Sequence, residues 1–363
     1  SMPVDYDGAY CHFLDYSPYF LAAKQQAGLF KVAVDGSGNR IGFARIDPIA
    51  PSNYLFINPY TIDPNDNRIL FLPNGNVLWR NNDISVFELD NQFVKQTENW
   101  EQLNILGVSG LISAVEVSRE PANILYFGTS GGAVVRVDSS NANYTYKNVT
   151  IPNSNGFVSS IATHPKDGNK VVVVFSNYNV YSVFYSETGG DSWENISGNI
   201  EGEIQPGIPA QFAQINDGPS CRVAKFVELR DASWLLLGTS VGLFGTLNID
   251  SNSTIWDRVS ESEIGSHVVT AIDYRAADGY LGVATHGGGV FSSYVTQSGN
   301  IIADVTEQQF QKAILFPNPA RTNVALRVHE IDEFSTQDIQ VYNSRGKAVN
   351  IEWHVENNKI SGN

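Results

Sequence analysis

Along most of the chain, short runs of consecutive apolar residues are separated by polar turns rich in Asp, Asn, Gly and Pro. The run Val171-Val172-Val173-Val174 has no polar side, so a strand there must be covered on both faces. The runs recur in one order: polar turn, apolar strand, Gly-containing turn, strand. Asp15 to Pro18 leads into Tyr19–Ala22 and then Gly28–Val32, and Asp63 to Asp66 leads into Ile69–Phe71 and then Val77–Arg80. Glu120 to Asn123 leads into Ile124–Gly128 and then Ala133–Val137. His164 to Asp167 leads into Val171–Phe175 and then Val180–Val183. Arg230 to Ser233 leads into Trp234–Gly238 and then Leu243–Thr246. Ala277 to Gly279 leads into Tyr280–Ala284 and then Val290–Ser292.

The units return about every 45–65 residues, the spacing of propeller blades with insertions. One such sheet cannot bury both faces alone, so several pack face to face around an axis. A β-helix needs a much shorter period, and two β-sandwiches would not repeat one hairpin six times. The pattern predicts an all-β protein: a β-propeller of about six or seven blades, followed by a small immunoglobulin-like β-sandwich. Composition agrees, since 31 Gly, 15 Pro, 11% aromatics and a single Met favour strands and tight turns. The propeller is expected over 1–297, a linker over 298–312 and a small C-terminal domain over 313–363.

Two segments carry family resemblances. Ser186-Glu187-Thr188-Gly189-Gly190-Asp191-Ser192-Trp193 resembles the Asp-box (Ser-x-Asp-x-Gly-x-Thr-Trp) of BNR-repeat propellers, which include sialidases, sortilin-like receptors, photosystem assembly factors and two-propeller xyloglucanases. The resemblance implies a hairpin between the outer strands of a blade. Ser186 and position 188 cap its backbone donors, Gly190 supplies a positive φ, Ser192 takes the Thr place, and Trp193 packs beneath. Thr188 stands where the family has Asp, and the motif marks fold rather than chemistry.

The second resemblance begins at Leu315-Phe316-Pro317-Asn318-Pro319 and continues through strand Val324–Val328 to Val341-Tyr342-Asn343-Ser344-Arg345-Gly346-Lys347. It is similar to the C-terminal sorting domain of the Bacteroidetes type IX secretion system, with Pro317, Asn318, Pro319, Tyr342, Gly346 and Lys347 at the motif positions. Arg345-Gly346 would close a hairpin between 339–341 and 348–351. The alternative is an accessory immunoglobulin-like domain without a sorting role. The family continues past the point where this chain stops, at Asn363, so the module is expected to be truncated, with a signal peptide upstream. The resemblance implies secretion or display on the outer surface of a Gram-negative bacterium, with the type IX machinery as a partner.

A net charge of −15, spread rather than blocked, argues against nucleic acid or anionic membrane as partners. No apolar run is long enough for membrane insertion. Scattered Asp at loop tips offers oxygen ligands of the kind that hold Ca²⁺, but no spaced calcium loop is present, and neither a metal site nor a cofactor is expected. Cys11 and Cys221 match no metal motif; a disulfide and two free thiols both remain open. The four Asn-x-Ser/Thr sequons, at Asn143, Asn148, Asn195 and Asn252, occur as often as an Asn-rich chain produces by chance.

No strong catalytic motif is present. A glycoside hydrolase needs two carboxylates, for which Asp5, Asp7, Asp15, Asp47 and Asp217 are candidates. Arg45-Ile46-Asp47-Pro48 interrupts the sialidase Arg-Ile-Pro pattern. His286-Gly287-Gly288 is a candidate binding loop, since its glycines allow close approach to a ligand in the axial channel. Trp79, Trp100, Trp193, Trp234 and Trp256 are candidates for stacking on sugars or for packing between blades. The segment 198–219, rich in Gly, Pro and Gln, is a candidate recognition loop. The expected function is an exported propeller that binds a glycan or a surface protein. The alternative is a xyloglucanase- or sialidase-like glycoside hydrolase with part of its site upstream.

Overall fold

A computed structural model describes residues 8–295, apart from residues 16, 179, 202–217 and 230–231, together with six short strands between 313 and 362. The fold is all-β: a six-bladed propeller, with a few single 3₁₀ turns. Blade 1 comprises β1 (Gly8–Phe13), β2 (Tyr19–Lys24), β3 (Gly28–Val34) and β4 (Arg40–Arg45). Blade 2 comprises β5 (Thr61–Asp63), β6 (Asp66–Asn74), β7 (Val77–Asn81) and β8 (Trp100–Leu103). Blade 3 comprises β9 (Ile112–Val117), β10 (Ile124–Thr129), β11 (Val134–Asp138) and β12 (Thr145–Asn148). Blade 4 comprises β13 (Val158–His164), β14 (Asp167–Phe175), β15 (Val183–Ser186) and β16 (Glu194–Asn195). Blade 5 comprises β17 (Cys221–Glu228), β18 (Ser233–Thr239), β19 (Gly242–Thr246) and β20 (Asp257–Val259). Blade 6 has three strands among the described residues, β21 (Val268–Arg275), β22 (Tyr280–His286) and β23 (Gly289–Tyr294). Each blade is an antiparallel meander, with the strands hydrogen-bonded in chain order.

The core lies between blades. Leu21, Leu29 and Ile46 of blade 1 pack on Ile62, Leu70 and Leu72 of blade 2. Phe71 and Leu103 meet Ile112 and Leu125, Tyr126 and Val134 meet Val158 and Val171, and Val172 and Val183 meet Phe226 and Leu235. The four consecutive valines of β14 split accordingly, Val171 and Val173 facing blade 3 and Val172 and Val174 facing blade 5, all fully buried. Close approach sets two glycines. A Cβ on Gly128 would lie 2.2 Å from Val158 of the next blade, and one on Gly238 2.6 Å from Val269, so no larger residue fits without moving an inner strand.

A second set of contacts joins the blades at their rims. Trp100 opens β8 and donates its indole N–H to the carbonyl of Ile46, the residue just after β4. Trp193, just before β16, donates to Val149, just after β12. Trp256, just before β20, donates to Ile196, just after β16. In blade 3 the place is held by Tyr144, whose hydroxyl accepts from the N–H of Asn104, just after β8. Each aromatic thereby ties the start of its own outermost strand to the end of the previous one. This repeated position assigns Trp100, Trp193 and Trp256 to inter-blade packing.

The remaining strands belong to a separate compact unit, 300–363. They are β24 (Ala313–Phe316), β25 (Val324–Val328), β26 (Val341–Tyr342), β27 (Ala348–Val349), β28 (Trp353–Glu356) and β29 (Lys359–Gly362). One sheet runs β24-β25-β29-β28, and β26 pairs with β27 as a hairpin. Tyr342 lies in β26; Pro317, Asn318, Pro319, Gly346 and Lys347 lie outside the described residues.

Candidate functional site

The first strands of successive blades pack on one another, β5 on β9, β9 on β13, β13 on β17 and β17 on β21, which puts the first strands innermost, beside the propeller axis. His12 on β1, Glu116 on β9, Lys225 on β17 and Asp273 on β21 come from blades 1, 3, 5 and 6. Lys225 and Asp273 both act on the charge states of His12 and Glu116. Groups from non-adjacent blades come within electrostatic reach of one another at the axis. Lys225 Nζ lies 4.0 Å from Asp273 Oδ1, and the Asp273 side chain is 93% exposed, so the cluster is open to water.

Its electrostatics are mixed. Desolvation pushes the Glu116 carboxyl up; Lys225 opposes the rise and Asp273 adds to it. Desolvation pushes the His12 imidazole down and Lys225 deepens the shift, against Asp273. The His12 ring also stacks edge-on against Tyr60 at 5.2 Å. The cluster therefore brings together Lys225, Asp273, a carboxyl whose pKa is raised and an imidazole whose pKa is lowered. None of its four members stood among the sequence candidates, because inner strands are identified by blade order rather than by motif.

Several sequence candidates have structural work instead. Asp47 is 1% exposed and accepts from Arg45 Nε at 2.7 Å, Arg45 NH2 at 3.0 Å and the Leu29 N–H at 3.2 Å. It is a buried tie, and Arg45 is committed to it. Asp15 lies exposed in the turn after β1, and its own N–H donates to Asn67. Asp5, Asp7, Asp217 and residues 202–217 of the candidate loop lie outside the described residues. His286 ends β22 opposite Val268 and is exposed, with Gly287 and Gly288 in the turn that follows. That turn closes the second and third strands of blade 6, one strand out from the inner strand. Cys11 is exposed and Cys221 buried, and both are free thiols. Burial pushes the Cys221 thiol up to about 12, which keeps it unreactive. Among the described residues no three His, Cys, Asp or Glu side chains converge as a metal site.

The segment resembling an Asp-box forms the β15–β16 hairpin. Ser186 Oγ accepts from the N–H groups of Thr188 at 3.1 Å and Gly190 at 2.9 Å. Thr188 Oγ1 accepts from the N–H of Ser192 at 2.9 Å, so the hydroxyl caps the turn where the motif carries a carboxylate. Gly190 has φ +93°, and a Cβ there would lie 2.6 Å from Val149. A groove of about 480 Å³ runs beside the hairpin between Asn148, Pro152, Phe184, Asp191 and Trp193.

One further constellation escaped the sequence reading. His164 Nε2 lies 2.6 Å from Ser233 Oγ, which donates to Glu228 Oε1 at 2.8 Å. His164 Nδ1 accepts from the Lys166 N–H at 3.2 Å, so the ring proton sits on Nε2 and points at the serine. The imidazole is a donor to Ser233 rather than a base for it, which excludes a nucleophilic triad. Lys166 pairs with Glu228, and Tyr274 donates to the Glu228 carbonyl at 2.9 Å, so the cluster straps blades 4, 5 and 6 together.

No family model matches the chain, and no curated protein matches it. Solved structures with a similar fold number 1021 chains, a breadth that marks architecture rather than activity. One of them is YCF48 bound to D1 peptide, at TM-score 0.51 and 13% identity, over 82% of this chain and 80% of that one.

Proposed function

We propose that the chain is an exported, non-catalytic propeller that binds a polypeptide partner at the axial cluster. The observation that carries this reading is the convergence of His12, Glu116, Lys225 and Asp273 from four separate blades on one solvent-open space. Charges of both signs carried by separate strands suit a partner that itself carries both signs, as polypeptides do. The solved propeller YCF48, which holds a peptide, supports the same class of ligand. Export rests on the sequence resemblance of 315–347 to a type IX sorting domain, and the BNR relationship on the hairpin 186–193; both belong to this proposal.

A second reading has one specific support. Glu116 retains its proton to higher pH than an ordinary carboxyl, and Asp273 lies within its electrostatic reach, the asymmetry expected of an acid and its partner in a glycoside hydrolase. One experiment separates the two. A random peptide library is selected on the immobilised protein, and a polysaccharide panel is assayed in parallel for new reducing ends. The binding reading expects enriched peptides whose affinity falls at least about tenfold in Lys225→Glu, and no sugar release. Sugar release that disappears in Glu116→Gln would replace it with the hydrolase reading.

A further inference from the structure

Edge strands in soluble proteins are kept short, charged, interrupted by Pro or covered, because an unpaired ladder of N–H and C=O groups recruits other strands. Five blades of this propeller follow that rule. Strand β4 carries Arg40 and Arg45; β8 carries Glu101; β12 carries Lys147; β16 is two residues long with Glu194; β20 is three residues long with Asp257 and Arg258. The sixth does not. Strand β23 spans six residues, Gly-Val-Phe-Ser-Ser-Tyr, without a charge or a proline. It has no fourth strand beside it among the described residues. Val290 and Tyr294 are 77% and 64% exposed.

The register shows which groups stand open. The Val295 N–H donates to the Gly279 carbonyl at 2.8 Å, and Tyr280 pairs with Tyr294 next along the ladder. Hydrogen-bonded pairs alternate in an antiparallel ladder. Phe291 and Ser293 therefore bond inward to β22, while the N–H and C=O groups of Val290, Ser292 and Tyr294 point to the free edge. Their side chains share a face with Tyr280, whose ring lies 5.3 Å from that of Tyr294 and beneath the Arg275 guanidinium.

We propose that β23 is a strand-addition site that takes an extended segment of a partner protein as the fourth strand of blade 6. The inference rests on the protein-binding reading above but concerns a different surface. A segment of about five or six residues matches the length of the edge. Apolar residues at alternate positions would cover Val290, Tyr280 and Tyr294. The net charge of −15 favours basic flanks on the partner and disfavours a second copy of this acidic chain.

Ser292→Pro removes an outward N–H without touching the β22 ladder, and Ser292→Lys leaves the backbone intact but adds a charge at the edge. Peptides enriched from a random extended library are titrated by fluorescence anisotropy against the wild-type protein, both Ser292 variants and Lys225→Glu. Peptides weakened by Lys225→Glu are axial ligands; among the others at least a tenfold loss is expected in Ser292→Pro and a smaller loss in Ser292→Lys. Hydrogen exchange of the unliganded protein is expected to show rapid exchange at Val290, Ser292 and Tyr294. Three outcomes overturn the proposal: a library without enriched peptides, affinities lost in Lys225→Glu but not in the Ser292 variants, or edge amides already protected in the protein alone. The second would leave the axial reading standing. Protection that grows with protein concentration would assign the edge to a second copy instead.

Discussion

The rim aromatics lend themselves to a quantitative test at Trp256. Its indole is 2% exposed and donates at 2.8 Å to the carbonyl of Ile196, which is itself fully buried. Trp256→Phe keeps an aromatic ring and deletes the donor. Leaving the Ile196 carbonyl unsatisfied costs about 1–3 kcal/mol. The lost second ring leaves a void of roughly 40 Å³, which adds about 1 kcal/mol. The expected loss is therefore about 2–4 kcal/mol, read as a lower urea midpoint with an unchanged m-value in circular dichroism. Tyr144→Phe deletes the equivalent hydroxyl, but its partner Asn104 is exposed and water replaces the bond. That variant should lose less than about 1 kcal/mol. A Trp256→Phe loss below about 0.5 kcal/mol, or equal losses in the two variants, would refute the view that these aromatics clasp one blade to the next.

Three other expectations are open to the same methods. Asp47→Ala leaves Arg45 without its buried counter-ion and should cost about 3–5 kcal/mol in urea unfolding. Thr188→Val removes the acceptor of the Ser192 N–H and should cost about 1 kcal/mol, whereas Thr188→Asp should preserve stability because a carboxylate accepts the same bond. Desolvation, with Lys225 adding to it, holds the folded-state pKa of His12 below its ordinary 6.5, so its contribution to stability is present above that value and is lost as pH falls beneath it. His12→Gln should flatten that acid limb of the pH–stability curve, and an unchanged limb would count against a lowered His12 pKa.

The middle of each blade was legible in the sequence because it is there that the strands are apolar on both sides. Val171–Val174 and Leu235–Leu237 lie between two blades, so neither face can be polar. The outer strands were less legible. Strand β16 has two residues and β20 three, and their patterns Glu-Asn and Asp-Arg-Val hold no hydrophobic period. The recurring aromatic at Trp100, Tyr144, Trp193 and Trp256 was the available signal for them, visible once aligned on strand starts. The axial cluster was illegible for a different reason. His12, Glu116, Lys225 and Asp273 are far apart in sequence and acquire a common environment through ring geometry alone. Asp47 misled because a carboxylate in a polar-looking segment and one buried against its own neighbour, Arg45, read alike.

A charge-reversal cycle at Lys225 and Asp273 decides whether the axis is the ligand site. The dissociation constant of a library-selected peptide is measured for the wild type, Lys225→Glu, Asp273→Lys and the double variant. Each single reversal is expected to weaken binding and the double variant to recover part of it, with a coupling above about 0.5 kcal/mol. Four equal dissociation constants would contradict an axial ligand site.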